Sequence, residues 1–437
     1  MIVFNLKKKF ILVWTYIFLF IGTNINAQNK AHTDMNVAEI RQTESGYRIF
    51  LNDEPFFVKG IGGGSDSNFK VIADHGANTI RTWSTDNGKE LLDKAHAHGL
   101  KVLMGIWLVP ERHGADYNNL EEINAQYDRI KKEVLALKDY PALLCWIIGN
   151  ELNQDGSNPN VWNAVNDISK MIHELSPNQL TTTAIAGFEK TVVKEIEKRA
   201  PDLDFLSVQL YGAMDVFSEI LLQTAYKGPL LITEWGTTGY WEVEKTTWGA
   251  PLEDNSSIKA DAYLSRYQNG IENEPQVMGS AVFLWGHKQE RTPTWFGMHL
   301  KDGAKTESVD AMHYAWTGKW PHNRTPRLHS FTLDGQKGTD NIKLKPGARY
   351  TAEIMVIDPE NDNLTYRWEV MEESKTTQTG GDREKVPPVI DGLLQSNDQN
   401  SISFKAPLTI GAYRLYVYVY DQHHSAAHAN IPFFVEN

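Results

Sequence analysis

Along residues 56 to 285, short runs rich in β-branched and aromatic residues alternate with longer stretches whose apolar positions recur every three or four residues. The short runs are "FFVKGI" (56–61), "TIRTW" (79–83), "KVLMGIW" (101–107), "LLCWIIGN" (143–150), "TTTAIA" (181–186), "FLSVQLY" (205–211), "PLLITEW" (229–235) and "GSAVFLW" (279–285). Between them, "NGKELLDKAHAHG" and "NVWNAVNDISKMIHEL" carry the helical period, and Gly76, Gly99 and Pro177 supply stop signals. Eight such βα units in about 250 residues predict an α/β fold, a (β/α)8 barrel over 56–320. An open doubly wound sheet is the competing arrangement.

Ahead of these units, "AEIRQTESGYRIFLNDEPF" predicts a hairpin, with Ser45-Gly46 as its turn and Asn52-Asp53 as a second bend. We expect this segment, 28–55, to plug the barrel floor. After Trp320 the helical period disappears. "PHNRTPR" (321–327) reads as a linker, and 328–437 as a smaller all-β sandwich of immunoglobulin-like size. Its clearest strand is "YRLYVYVYD", Tyr413 to Asp421, whose alternation predicts a half-buried antiparallel strand; the polar tract from Glu372 to Lys385 reads as a loop.

The N-terminus changes the picture of where the chain works. Lys7, Lys8 and Lys9 precede an apolar run from Phe10 to Ile21, and Ile25-Asn26-Ala27 resembles a cleavage site, so 1–27 is expected to be a secretory signal. The run is short for a bilayer span; an uncleaved anchor is the alternative. The net charge of −12 becomes more acidic without the three lysines, which disfavours nucleic acid and anionic membranes as partners. With Cys145 as its one cysteine, the chain has no internal disulfide and no lipid-bearing cysteine after the signal. A bacterial protein, periplasmic or secreted, is expected. Cys145 lies in an apolar run and reads as a small buried hydrophobe rather than a nucleophile.

In a barrel, chemistry collects at the C-terminal strand ends. Run four ends on Asn150 and Glu151, and run seven on Glu234 with Trp235 behind it. Run two carries Arg81 and Trp83, run six ends on Tyr211, and run eight ends on Trp285 with His287 beyond. Two carboxylates brought together across one mouth suit hydrolysis of a glycosidic bond, in which one acid protonates the departing oxygen and the other carboxylate attacks or activates water. Their pKa values must then differ, with Arg81 and Tyr211 holding Glu234 ionised and Glu151 titrating higher.

"IIGNEL" and "LITEWG" resemble the clan A glycoside hydrolases. The barrel is similar to the TIM-barrel domain of glycoside hydrolase family 2-like proteins over about residues 36 to 320, through "FFVKGIGGG", "NTIRTW", "NEL", "TEWG" and "FLWGHKQERTPTWFGM". The resemblance implies Glu151 as acid/base, Asn150 as a partner for the sugar 2-hydroxyl, and Glu234 as nucleophile of a retaining enzyme. It also implies Arg81 and Tyr211 as nucleophile contacts and Trp285 as a sugar platform. The N-terminal sandwich domains of full-length family 2 enzymes are absent from the pattern, so their galactosidase or glucuronidase specificities do not transfer. Barrel followed by immunoglobulin-like module looks more like the endo-β-1,3-glucanases of glycoside hydrolase family 158, which implies a β-glucan substrate.

Trp107, Trp241, Trp248, Trp285 and Trp295 fall in or beside βα loops, where an indole can stack on a pyranose or simply pack the loop. "PERHGADY" (110–117) places Glu111, Arg112 and His113 either at the cleft or in a local ion cluster. We take Trp107, Trp241, His113 and His287 as substrate contacts. "KGIGGGS" lacks the residues of a phosphate loop and reads as backbone room or a tight turn. No zinc-ligand spacing occurs, so neither a catalytic metal nor another cofactor is expected. "DPENDN" (358–363) has the oxygen-rich character of a calcium site or of a polar turn. A secreted retaining β-glycosidase acting on polysaccharide is the leading expectation. A carbohydrate-binding protein that no longer cleaves, and a transglycosylase using the same glutamates, are its alternatives.

Overall fold

The computed structural model describes residues 37–376, 381–395 and 399–437. The expected signal, 1–27, and the first part of the 28–55 segment lie outside the described residues. Among the described residues no helix is long and apolar enough to cross a membrane.

Strands β1 (Ala38–Thr43), β2 (Gly46–Leu51) and β3 (Glu54–Phe56) form an antiparallel sheet. The β2–β3 bend uses Asn52 and Asp53 at φ 51° and 69°, the left-handed pair that a tight two-residue hairpin needs. Gly46 is required by contact: a Cβ there would lie 2.0 Å from the carbonyl oxygen of Pro275. That approach lets Tyr47 N–H donate to Pro275 O, while Ala38 N–H donates to Asn178 O, both in loops that enter barrel strands. Ala38, Ile49 and Leu51 close over Leu103, Cys145, Phe205 and Met278. Cys145 thus sits in the barrel floor, fully buried, and burial pushes its thiol well above the ordinary range.

Eight parallel strands follow: β4 (Val58–Gly62), β5 (Thr79–Arg81), β6 (Lys101–Ile106), β7 (Leu143–Asn150), β8 (Leu180–Ala186), β9 (Phe205–Gln209), β10 (Leu230–Glu234) and β11 (Val277–Val282). Each pairs with the next, and β11 returns to β4 with Gly279 opposite Val58 and Val282 opposite Ile61, which closes a TIM barrel. All eight residues of β7 are buried, because its two faces meet the barrel interior and the helical layer. The helices between and after the strands are α1 (Phe69–Asp74), α2 (Gly88–Ala97), α3 (Leu120–Leu137), α4 (Asn160–Leu175), α5 (Lys190–Arg199), α6 (Phe217–Thr224), α7 (Ser256–Tyr267) and α8 (Glu307–Thr317). The α4 stripe Val161, Val165, Ile168 and Ile172 is buried in the layer between helices and strands. Each such side chain contributes about 1.5–3 kcal/mol relative to exposure.

Strands β12 (Arg327–Leu333), β13 (Lys343–Leu344), β14 (Arg349–Ile357), β15 (Thr365–Glu372), β16 (Ser401–Lys405), β17 (Gly411–Tyr420) and β18 (Ala426–Val435) build two sheets, β12-β14-β16 and β13-β18-β17-β15. Trp368, Phe404, Leu415, Val417 and Phe433 fill the space between them. Strand β17 departs from its expected half-burial: from Tyr413 to Val419 every residue is buried. Leu415, Val417 and Val419 face the sandwich core, whereas Tyr416 and Tyr418 pack on Leu300 and Ala304 of the barrel. The polar-looking face of the strand is therefore an interdomain face. Arg414, also on β17, makes a two-pronged pair with Glu373 at 2.9 Å for each prong and donates to Pro251 O at 2.9 Å.

Candidate active site

The strand ends deliver a cluster centred on Glu234, the last residue of β10. Its Oε1 accepts from Arg81 Nη1 at 2.8 Å, Trp83 Nε1 at 2.7 Å and Gln209 Nε2 at 2.8 Å, and its Oε2 accepts from the Tyr211 hydroxyl at 3.0 Å. Asn150 is tied to the same group, since its Oδ1 accepts from Gln209 at 2.7 Å and from Arg81. That oxygen being committed, the Asn150 amide nitrogen is left to donate. Arg81 is 1% exposed and stacks on the Trp83 indole at 4.2 Å, so it acts beneath the cleft rather than in it. Room for Trp83 comes from Gly62 on β4, where a Cβ would lie 2.8 Å from the indole.

Glu151 stands one residue past β7 with φ 50°, an uncommon conformation for a residue with a side chain, held by its N–H donating to Ala184 O at 2.8 Å. Arg112 fixes the same turn by donating to Glu151 O at 3.0 Å. Burial and the Glu234 charge push the Glu151 carboxyl up to about 8, against the pull of Arg112 and Arg81. Burial raises Glu234 as well, but Arg81, the Tyr211 hydroxyl and Lys288 draw it back. Burial and the Glu234 charge keep the Tyr211 phenol protonated, hence a donor. The pair is therefore arranged to hold one proton on Glu151 while Glu234, the more buried but surrounded by four donors, is the better stabilised as an anion.

Both carboxylates line a cavity of about 640 Å³, together with Asn150, Tyr211, Trp107 and Trp241 from the expected set. His113 reaches it indirectly, stacked on Trp107 at 6.1 Å and 3.5 Å from Asp382. Glu111 does not face it; its Oε2 accepts from Ser157 N and Asn158 N and joins two loops. Glu242 lines the cavity but its oxygens are taken by the N–H groups of Gly212, Ala213 and Gly239.

Trp285 and His287 do not line this cavity: both face an adjoining groove of about 1050 Å³ that shares Trp83 and Leu284 with it, and Trp285 packs on His75 and His299, at 5.7 and 5.0 Å, with 6% of its surface exposed. Strand β11 ends at Val282, so alternation no longer governs the following residues. The aromatic side chain presented to the cavity just past β11 is Phe283, edge-on to Trp83 and Tyr211. Trp295 is 1% exposed with its N–H donating to Thr238 O, and Trp248 packs on Phe434, so neither lines the cavity. Trp235 is fully buried against Tyr263 and Tyr267.

Trp83, placed at the end of run two but given no role there, lines the cavity, and so does Gln209, which ends β9 and was legible by the same rule that chose Glu234. Lys288 and Glu290, paired at 2.8 Å, come from the long loop after β11. Gly381 and Asp382 come from the sandwich and carried no signal at all.

No protein-family model matches the chain, and no curated protein matches it in sequence. Solved structures match it in fold. The β-glucuronidase 2 of Bacteroides uniformis, covalently bound to cyclophellitol-6-carboxylate aziridine, superposes with a TM-score of 0.51 at 13% identity, covering 91% of this chain and 48% of that one. A Faecalibacterium prausnitzii β-glucuronidase gives 0.52 at 16% identity over 64% of this chain and 52% of that one, and one from Ruminococcus gnavus gives 0.51 at 16% over 65% and 53%. The barrel fold is shared. The chain spans about half the length of these structures, so the likeness concerns architecture, and the cleft chemistry rests on this chain's own side chains.

Proposed function

We propose that the chain is a retaining β-glycoside hydrolase. The observation that carries this reading is the unequal treatment of two carboxyls in one cleft: Glu234 accepts four hydrogen bonds, whereas Glu151 is driven up to about 8. Resemblance of the strand-end motifs to clan A enzymes, and a fold shared with β-glucuronidases, support it.

In the first step Glu234 attacks the anomeric carbon as the glycosidic C–O bond breaks, and Glu151 gives its proton to the departing oxygen. Oε2, bonded only to Tyr211, has the lone pairs to spare for attack. Formation of the glycosyl ester removes the Glu234 charge that raised Glu151, so Glu151 can remain ionised and act next as a base. In the second step Glu151 takes a proton from water, the water oxygen bonds to the anomeric carbon, and Glu234 leaves. Arg81, Trp83 and Gln209 hold Oε1 throughout. Trp107 and Trp241 are placed to stack on pyranose faces.

The finer reading is an endo-acting enzyme on β-1,3-glucan, exported by the N-terminal leader; it rests on sequence resemblance and on the order of barrel and sandwich. The test is turnover of laminarin, mixed-linkage glucan, mannan, and aryl β-glucosides and β-glucuronides, with the anomer of the first product followed by NMR. New β-anomeric reducing ends, lost in Glu151→Ala and Glu234→Ala, are expected. Undiminished turnover in both variants would end the proposal, and a first-formed α-anomer would exclude retention.

A further inference from the structure

The geometry points to a calcium ion bound by Asp358, Asp362 and Asp421 where the sandwich joins the barrel, a site separate from the cleft and independent of the function proposed for it. Asp358 follows β14, Asp362 lies four residues on in the same turn, and Asp421 follows β17. Each offers a carboxylate oxygen, and these oxygens all lie within 4.8 Å of one another. Two oxygens on opposite sides of a calcium ion stand about 4.6–5.2 Å apart, since each Ca–O distance is about 2.3–2.6 Å.

Proximity of acidic groups is not enough, and the second observation is the state of Asp358. It is 5% exposed, and its Oδ2 is buried without a hydrogen-bond partner. Its Oδ1 is already engaged, accepting from Glu360 N–H at 3.0 Å and Asp362 N–H at 2.9 Å. The turn therefore explains one oxygen and leaves the other dry, a state that buried carboxylates rarely keep. Asp362 Oδ2 likewise has no hydrogen-bond partner, its nearest basic group being His423 Nε2 at 3.5 Å. Among the described residues no Lys or Arg pairs with any of the three. Three clustered carboxylates without a balancing charge repel one another, and a hard cation with oxygen ligands removes both that repulsion and the orphaned lone pairs.

The position suggests what the ion does. Asp421 Oδ2 accepts from Asn323 Nδ2 at 2.8 Å, in the connector leaving the barrel, and its Oδ1 accepts from His423 and Ser425 N–H groups. Calcium would tie the β14–β15 turn, the β17–β18 turn and the connector together.

The experiment is isothermal titration of CaCl2 into the full chain after treatment with EDTA and its removal, with melting curves in CaCl2 and in KCl of equal ionic strength. A single site with Kd on the order of 10⁻⁴ M is expected, the range of extracellular modules, together with a melting temperature raised by calcium and not by KCl. Asp362→Asn, which leaves Asp358 capping its turn, should melt no lower than the wild type in EDTA yet lose the calcium response; Asp358→Asn should also lose it. Absence of heat and of any shift in the wild type at 10 mM calcium would overturn the inference, whether or not the variants fold. So would an undiminished calcium shift in Asp362→Asn.

Discussion

Arg81 and Glu234, 153 residues apart in the chain, meet at 2.8 Å inside the barrel mouth with 1% and 7% of their side chains exposed. A buried pair of this kind is weak evidence for stability, because removing two charges from water costs about what their attraction returns. Its evident consequence is chemical: the Arg81 charge opposes the burial that raises Glu234, within the field of a second carboxylate.

Loss of Glu151 should act on protonation and not on binding. Glu151→Gln is expected to lower kcat/KM by about 10²–10⁴-fold on substrates with poor leaving groups. Aryl glycosides whose leaving groups need no proton should suffer far less in the first step. Sodium azide should restore turnover of such substrates in Glu151→Ala and yield a β-glycosyl azide, whereas Glu234→Ala with azide should yield none of the β product. Chromatography of the azide adducts decides between the two roles.

The pH dependence follows from the same pair. A carboxyl held up to about 8 stays protonated through neutrality, so the alkaline limb of kcat/KM should fall near pH 8 and vanish in Glu151→Gln. Stability carries the matching sign. The folded value exceeds the unfolded one of about 4.3, so the folded chain binds the extra proton and the wild type loses stability as pH rises between those values. Glu151→Gln should therefore gain on the wild type in urea midpoint from pH 5 to pH 8; parallel midpoints would contradict the burial argument.

Trp83→Phe and Tyr211→Phe each delete one donor to Glu234 while keeping an aromatic ring at the position. A hydrogen bond to a charged group contributes about 1.5–3 kcal/mol, so a drop of about 10- to 100-fold in kcat is expected if the bond counts in the transition state. Near-wild-type kcat in both would mean that Arg81 and Gln209 alone hold the carboxylate.

Trp241 is 52% exposed and meets Tyr211 edge-on at 5.3 Å. Its truncation to Ala should raise KM on oligosaccharides by about 3- to 10-fold, the loss of an aromatic contact of roughly 0.5–1.5 kcal/mol. The melting temperature should barely move. Unchanged KM with lowered stability would assign Trp241 to loop packing.

Arg414 tests whether the sandwich and barrel stand as one piece. Arg414→Met leaves Glu373, 11% exposed at its side chain, without its cation and Pro251 O without its donor, which should cost up to about 3–5 kcal/mol. Adding Glu373→Leu should recover much of that in the urea midpoint, because the isolated charge is then gone as well. Equal midpoints for wild type and Arg414→Met would show that the interface does not depend on the pair.

The eight strands, their order and the two glutamates could be read from the chain because they depend on local regularities. Apolar runs mark strands buried on both faces, and a parallel barrel brings every strand end to one mouth. Trp83 was read at a strand end without a role, and Gln209 obeyed the same rule and could have been chosen with Glu234. Which aromatic follows β11 into the cleft could not be read, since past Val282 the backbone leaves the strand and Phe283, not Trp285, turns inward. Nor could the burial of Tyr416 and Tyr418, where a face that looked fit for solvent meets the barrel. Asp382 enters the cleft from a different domain, a contact with no periodicity behind it. Sequence determined the frame, because periodicity and strand ends are properties of neighbouring residues. Only tertiary structure decided the cleft's walls and the unequal titration of Glu151 and Glu234, because burial and field depend on what distant parts of the chain bring to the same few ångströms.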